Sequence, residues 1–457
     1  MKLLSKLLEH QSIAIEKLSK IKIGALYMEQ GTGKTRTALE LINLRLENNK
    51  VDKVLWLCPC SVKSEIVKEL NKHIGDDYSN IIFVYGIESL SSSVRLNSLL
   101  LRLVNQYKTY LVIDESNLVK NPSAMRTKNI QRLAELCQYK LILNGTPVSK
   151  NEADLFSQWY ILDWRILGYK SFWSFAANHL EYDDYGRIRK TLNVDYLSKK
   201  IAPYTYQIKK LDCLNLPTKH YKEYGFYLTG KQQEHYAEVL DAFLMQVDEY
   251  DSTTIYRLFT ALQHVVSGRK IVSEYKNRIK TKQFFKDYMN NPRMIKLIET
   301  LDNCIIKEKC IIWCKYTDEI KMISQYLKDR FGSNSVVEFY GAVTKKNRIE
   351  AINKFSNETQ FFIANKTCAG YGLNLQFCRN AIYYSNDFDF ATRMQSEDRI
   401  HRIGQEDEVY IYDIYAAGTV DRQILNCLFK KESMVENFKK WIDFYKNDKS
   451  IDKSNIK

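Results

Sequence analysis

Proline and glycine are scarce, at 6 and 17 in 457 residues, which excludes collagen-like repeats, low-complexity tracts and long rigid spacers. Long hydrophobic runs are lacking too. No stretch approaches the roughly 18 uninterrupted apolar residues of a membrane-spanning helix, and the opening Met1-Lys2-Leu3-Leu4-Ser5-Lys6-Leu7-Leu8-Glu9 is broken by charge too early for a signal peptide. The expectation is a soluble, cytoplasmic chain with no membrane partner. The 10 cysteines form no paired C-x-x-C clusters, so they read as reduced thiols, mostly buried, in a cytosol-like compartment. Cys310 and Cys314 stand i, i+4 on an apolar run, and on a strand that spacing is too wide for one zinc ion. Acidic residues are in deficit, 54 against 68 lysines and arginines for a net charge of +14, which favours a polyanionic partner. What is abundant is core material: hydrophobic residues make up 45% and aromatics 12%, in a chain long enough for two to four domains at roughly 100–200 residues each.

The first third alternates helical stretches with short apolar runs at 24–28, 54–58, 81–84, 110–113 and 141–143. The last third repeats the rhythm at 310–314, 336–339, 361–364, 381–384 and 409–412. Continuous apolar runs between helices mark strands of a parallel sheet covered on both faces. The fold class expected is therefore α/β, with two parallel-sheet lobes at 1–163 and 291–430. Between them, 164–290 places aromatic and basic residues at helical spacing in Gln232 to Tyr250 and Ile255 to Val266, and reads as a helical insert and connector. Residues 431–457 read as a lysine-rich C-terminal tail.

Chemistry enters at Gly31-Thr32-Gly33-Lys34-Thr35, which follows an apolar run and precedes a helical stretch. Backbone N–H groups of such a turn cradle phosphates, with Lys34 positioned for the β and γ groups and Thr35 for magnesium. Met28 takes the first glycine position of G-x-x-x-x-G-K-[ST], and a chance loop would read the same. The run ending at Ile113 leads into Asp114-Glu115, one carboxylate for Mg2+ and one to activate water; a helix cap is the plainer alternative. His10-Gln11 lies upstream, where a glutamine amide suits adenine. Near the other end, Gln395-Ser396-Glu397-Asp398-Arg399-Ile400-His401-Arg402 sets Arg399 and Arg402 three apart, either to reach a γ-phosphate or to pair with Glu397 or Asp398. Gly370-Tyr371-Gly372 offers a turn open to a ligand.

Together these segments resemble, in order and across nearly the whole chain, the superfamily-two helicases, and among them the Swi/Snf-type DNA translocases. Met28 to Thr35 resembles motif I, Leu57-Cys58-Pro59-Cys60-Ser61 the first DNA-contact motif, Asp114-Glu115-Ser116-Asn117 motif II, and Leu143-Asn144-Gly145-Thr146-Pro147 motif III. Trp313 to Thr317, Gly370 to Leu375 and Asp398 to Gln405 look like motifs IV, V and VI. The last, with His401-Arg402-Ile403-Gly404-Gln405, is the most specific. The resemblance implies two RecA-like lobes and a DNA-dependent ATPase using ATP and Mg2+. It assigns Lys34, Asp114, Glu115, Arg399 and Arg402 to catalysis, and Thr35 and Asp114 to the metal. Gln11, Gly31, Thr32, Gly33, Lys34, Thr35, Gly372 and Gln395 would hold the nucleotide. Pro59, Ser61, Lys63, Thr317, Lys345, Arg348, Thr367 and Asn374 would contact DNA, and Asn117, Gly145 and Thr146 would couple hydrolysis to movement. Ser116 and Asn117 depart from the usual Asp-Glu-Ala-His, which leaves both carboxylates and alters the coupling position.

A compact, lysine-rich motor without chromatin-reading domains looks more like a viral or phage branch-migration helicase, acting in a host cytoplasm, than a nucleosome remodeller. The expected function is ATP-dependent remodelling of branched DNA in replication, recombination or repair, driven by closure of the lobes over ATP. The alternative is a duplex DNA translocase that displaces bound proteins without separating strands. Lys209-Lys210, Arg269-Lys270 and Lys280-Thr281-Lys282 are candidates for a junction-engaging element, or simply solvated faces.

Overall fold

Apolar runs of five or six residues, unbroken by polar alternation, can only be strands if both of their faces are covered. The structure is a computed structural model. It describes residues 1–145, 152–182, 188–245, 252–275, 278–305, 307–369 and 373–430, so the lysine-rich tail at 431–457 lies outside the described residues. The chain divides into two units, Met1–Leu216 and Pro217–Lys457.

In the first unit the five anticipated runs are β1 (Ile23–Met28), β2 (Lys53–Cys58), β3 (Ile82–Gly86), β4 (Thr109–Asp114) and β5 (Tyr139–Asn144). After a small antiparallel pair, β6 (Leu180–Tyr182) and β7 (Ile188–Thr191), comes β8 (Thr205–Ile208). The sheet runs β3-β2-β4-β5-β1-β8 with every pairing parallel. All six residues of β4 are buried. Leu55, Leu57, Leu111, Ile113 and Ile142 face a layer containing Phe156, Trp159 and Phe175. Trp159 Nε1 donates to the buried Tyr27 hydroxyl at 3.0 Å.

The second unit opens with β9 (Lys219–Phe226), then β10 (Arg269–Tyr275) and β11 (Arg278–Gln283), an antiparallel ribbon. Its remaining strands are β12 (Cys310–Cys314), β13 (Val336–Phe339), β14 (Phe361–Asn365), β15 (Asn380–Tyr383) and β16 (Val409–Ala416). They form a second six-stranded parallel sheet in the order β13-β14-β12-β15-β16-β9. Alternation along β12 shows why no polar residue interrupts it. Cys310, Ile312 and Cys314 pack with Leu258, Phe259 and Leu262, while Ile311 and Trp313 pack with Phe355 and Ile400 on the opposite face.

The stretch 164–290, expected to be a helical insert and connector, is shared between both sheets. β8 extends the first by pairing with β1, and β9 extends the second by pairing with β16. Both are edge strands, and β9 leaves most of its side chains partly or fully exposed, so neither carries an apolar run. The helices Gly230–Met245 and Ser252–Val266 cover the anticipated stretches, of which 246–250 lie outside the described residues. Among the described residues no helix is long and apolar enough to cross a membrane.

Candidate functional site

In parallel sheets the loops that follow the strands' C-terminal ends gather at one edge, and ligands bind there. In the first unit that edge carries the loops after β1, β2, β4 and β5. Leaving β1, the chain turns through Gly31 and Gly33, both at φ +84°, and enters the helix Lys34–Glu47. A side chain at Gly33 is excluded twice, by the left-handed backbone and because a Cβ there would stand 2.1 Å from Gln11 Nε2. Thr32 is buried and its hydroxyl donates to the Glu29 carbonyl at 2.7 Å. Lys34 Nζ donates to the Met28 carbonyl at 2.8 Å, which folds the ammonium back over the loop. Thr35 sits in the helix's first turn, partly exposed.

Gln11 is buried beside this loop. Its Oε1 accepts from the Leu8 N–H at 3.0 Å, and its Nε2 donates to the Thr32 carbonyl at 3.2 Å. His10 Nε2 also meets the Thr32 carbonyl, at 2.8 Å. Both side chains brace the turn, a role that a motif reading misses because it needs a contact 21 residues away.

Asp114 ends β4 and is buried. Burial, then the adjacent Glu115 carboxylate, push its carboxyl up to about 7, against the pull of Lys34 and of the Glu115 N–H, which donates to it at 2.9 Å. A carboxylate whose charged form is disfavoured until a cation arrives is suited to a divalent ion. Glu115 itself is partly exposed in the left-handed region, at φ +50°. A non-glycine residue held there is a strained conformation of the kind that clusters at functional sites.

Ser116 is fully buried and donates to Gln158 Oε1 at 2.5 Å, and Gln158 Nε2 donates to the Asp154 carbonyl at 2.8 Å. The residue that departs from the motif thus fastens the acidic turn to the helix Ala153–Leu167. Sequence reasoning gave it no such role, because its partner lies 42 positions away. Ser116→Ala is expected to cost about 1–3 kcal/mol, the penalty for leaving a buried acceptor without its donor, measured as a shift in the denaturant midpoint at unchanged slope. The Oδ1 of Asn117 is buried with no hydrogen-bond partner among the described residues. Gly145 follows β5, and a Cβ there would lie 3.8 Å from Met28 O and Gln30 N, so this turn abuts the phosphate loop. Thr146 lies outside the described residues.

After β2, Pro59 is buried while Ser61 and Lys63 are exposed. The loop is held by the Cys60 N–H, which donates to Glu88 Oε2 at 2.9 Å. A Cβ on Gly86 would stand 2.1 Å from Cys60 Sγ, so glycine at the end of β3 makes room for the loop.

The second unit gathers its candidates at the equivalent edge. Thr317 is exposed at the start of the helix Thr317–Phe331, just after β12. Arg348 donates to the Tyr340 and Gly341 carbonyls at 3.0 and 2.8 Å and holds the loop after β13. Asn374 is exposed, and its Oδ1 accepts from Arg402. Arg399 is buried, donating to the Gln395 carbonyl at 2.9 Å and to the Leu373 carbonyl at 3.4 Å. Glu397 is already bonded to Lys219, Tyr221 and Arg393, at 2.9, 2.7 and 2.9 Å. The two arginines thus fasten 373–374 to the segment 395–402. Gly372 and the side chains of Lys345 and Thr367 lie outside what is described.

Three family models match: the SNF2-related domain over residues 82–294, the helicase conserved C-terminal domain over 293–404, and the type III restriction enzyme res subunit over 4–149. An uncharacterized ATP-dependent helicase of Mycoplasma pneumoniae is 26% identical, covering 90% of this chain and 40% of that protein. The TATA-binding protein-associated factor mot1 of Aspergillus fumigatus is 24% identical, over 69% of this chain and 19% of that protein. The chain thus spans less than half the length of either relative. The Sulfolobus solfataricus SWI2/SNF2 ATPase core in complex with dsDNA is 22% identical with a TM-score of 0.41, covering 94% of this chain and 92% of that one. The chain is thus similar to an SNF2-related domain followed directly by a helicase conserved C-terminal domain, the two matches meeting at residues 293–294.

Proposed function

We propose that the chain is a DNA-dependent ATPase that translocates on duplex DNA and displaces what is bound there. The observation that carries this reading is the convergence at one sheet edge of a left-handed glycine loop, Lys34, the buried Asp114 and the strained Glu115. A binding module has no use for that set. ATP would lie with its phosphates on the N–H groups of Gly31 to Thr35 and on Lys34, and Thr35 and Asp114 would hold Mg2+, which neutralises charge on the β and γ groups. Glu115 orients the attacking water. DNA is gripped through its phosphates, by exposed Ser61, Lys63, Thr317 and Asn374 among others, without base reading. Action on a DNA-bound protein is favoured over strand separation by a relative whose name associates it with a TATA-binding protein. Separation of branched DNA is the second reading, favoured by the basic ribbon β10–β11.

The test is ATP-driven displacement of a third strand from a triplex, run beside strand displacement on a labelled four-way junction, with Lys34→Ala as control. Triplex displacement without junction products, absent in Lys34→Ala, is the expected result. Junction dissociation dependent on Lys34 would move the assignment to the second reading. Hydrolysis indifferent to DNA, with neither product, would overturn both.

A further inference from the structure

The ribbon β10–β11 carries charge in an arrangement that folding alone does not favour. Its register sets Lys270 opposite Lys282, Ile271 opposite Thr281 and Ser273 opposite Lys280, with an irregularity between Ile271 and Ser273. The inner face is fastened to the second unit. Ile271 and Ile279 pack on its core, the Ile271 N–H donates to His235 Nε2 at 3.2 Å, and Arg269 bridges Thr281 Oγ1 at 2.8 Å and Asp318 at 2.9 Å. The outer face presents Lys270, Lys280 and Lys282, all exposed. Among the described residues none of the three side chains makes an ion pair or hydrogen bond.

Like charges directly opposite one another on paired strands are destabilising, and a face that merely needed solvation would be served as well by mixed signs. Two neighbouring lysines on one strand face stand about 7 Å apart and the opposed pair about 5 Å, a cluster of point charges with no planar fork. That chemistry suits successive backbone phosphates and carries no preference among bases. We infer that the outer face of β10–β11 is a phosphate-backbone contact for DNA, additional to the loops at the sheet edges. This rests on the reading of the chain as a DNA motor.

The test compares binding of the full chain to a 30-base-pair duplex across a range of salt, for the unaltered protein, for Lys34→Ala, and for the triple variant Lys270→Gln, Lys280→Gln, Lys282→Gln. Each lost phosphate contact lowers the slope of log affinity against log salt by about 0.9, so the triple variant should be shallower by roughly two to three. Its melting temperature should equal or exceed that of the unaltered protein, since the opposed lysines no longer repel. Hydrolysis without DNA should be unchanged, while the DNA concentration for half-maximal stimulation should rise. If the triple variant does not fold, Lys280→Gln with Lys282→Gln should lower the slope by about two. An unchanged slope in a folded variant would overturn the ribbon contact and leave the motor standing. So would a weakened hold on an acidic protein partner with DNA binding intact. Absence of DNA binding by the unaltered protein would overturn the motor reading, and the ribbon contact with it.

Discussion

Glu115→Gln is expected to slow ATP hydrolysis by about a hundred- to ten-thousand-fold, the usual worth of a positioned general base, while nucleotide binding changes little. The amide has the shape of the carboxylate and tolerates the same left-handed backbone, so the acidic turn and its link through Ser116 to Gln158 should persist. What it loses is a proton acceptor. The substitution also removes the charge that, after burial, pushes the Asp114 carboxyl upward, so Asp114 ionises more readily and metal affinity should not fall. That separates it from Asp114→Asn, which should lose metal-dependent nucleotide binding as well. Single-turnover hydrolysis alongside titration with a fluorescent ATP analogue makes the comparison. Hydrolysis by Glu115→Gln within tenfold of the unaltered rate would remove Glu115 from its proposed role.

The largest stability effect is expected at Arg393, which takes no part in the proposed chemistry. Its guanidinium is buried, bonded to both oxygens of Asp413 at 2.6 and 2.8 Å and to Glu397 at 2.9 Å, and lies 3.4 Å from the centre of the Tyr383 ring. Burial alone would raise the Glu397 carboxyl, and Arg393 with Lys219 holds it below its ordinary value instead. Arg393→Met fills similar space but strands Asp413 and Glu397 with less compensation, a loss of about 3–5 kcal/mol. Hydrogen exchange at the amides of β15 and β16, which Tyr383 and Asp413 occupy, should accelerate together with global unfolding of the second unit. A destabilisation under 1 kcal/mol would show that the network relaxes around the gap.

The ten anticipated strands were legible because each is a short apolar run flanked by helical stretches; eight are interior to their sheets, where burial on both faces leaves such a run little else to be, and β3 and β13 stand at the edges. β8 and β9 were not legible. β9 in particular mixes lysine, histidine and tyrosine along an edge, and only the partner β16 makes Lys219–Phe226 a strand. The phosphate loop and the acidic pair were readable because their chemistry is local, set by neighbouring residues in one turn. The bracing of that loop by His10 and Gln11, the bond from Ser116 to Gln158 and the seat of Arg393 on Asp413 each join residues 20 or more positions apart, and no spacing rule reports them. The basic segments Arg269-Lys270 and Lys280-Thr281-Lys282 were visible as charge. Their confrontation across one ribbon face emerged only with the register.

Gln158 and Trp159 are neighbours on one helix, and they hold two different strands' ends. Gln158 takes Ser116, one residue past Glu115, and Trp159 takes Tyr27, four residues before Gly31. Successive residues of a helix are offset by a fixed 1.5 Å along its axis, so this single peptide unit works as a caliper whose jaws rest on the strand entering the glycine loop and on the turn carrying the acids. Sliding the helix as a body moves both jaws together and preserves the gap, whereas a kink or insertion at that one link would respace the two halves without altering a residue in either.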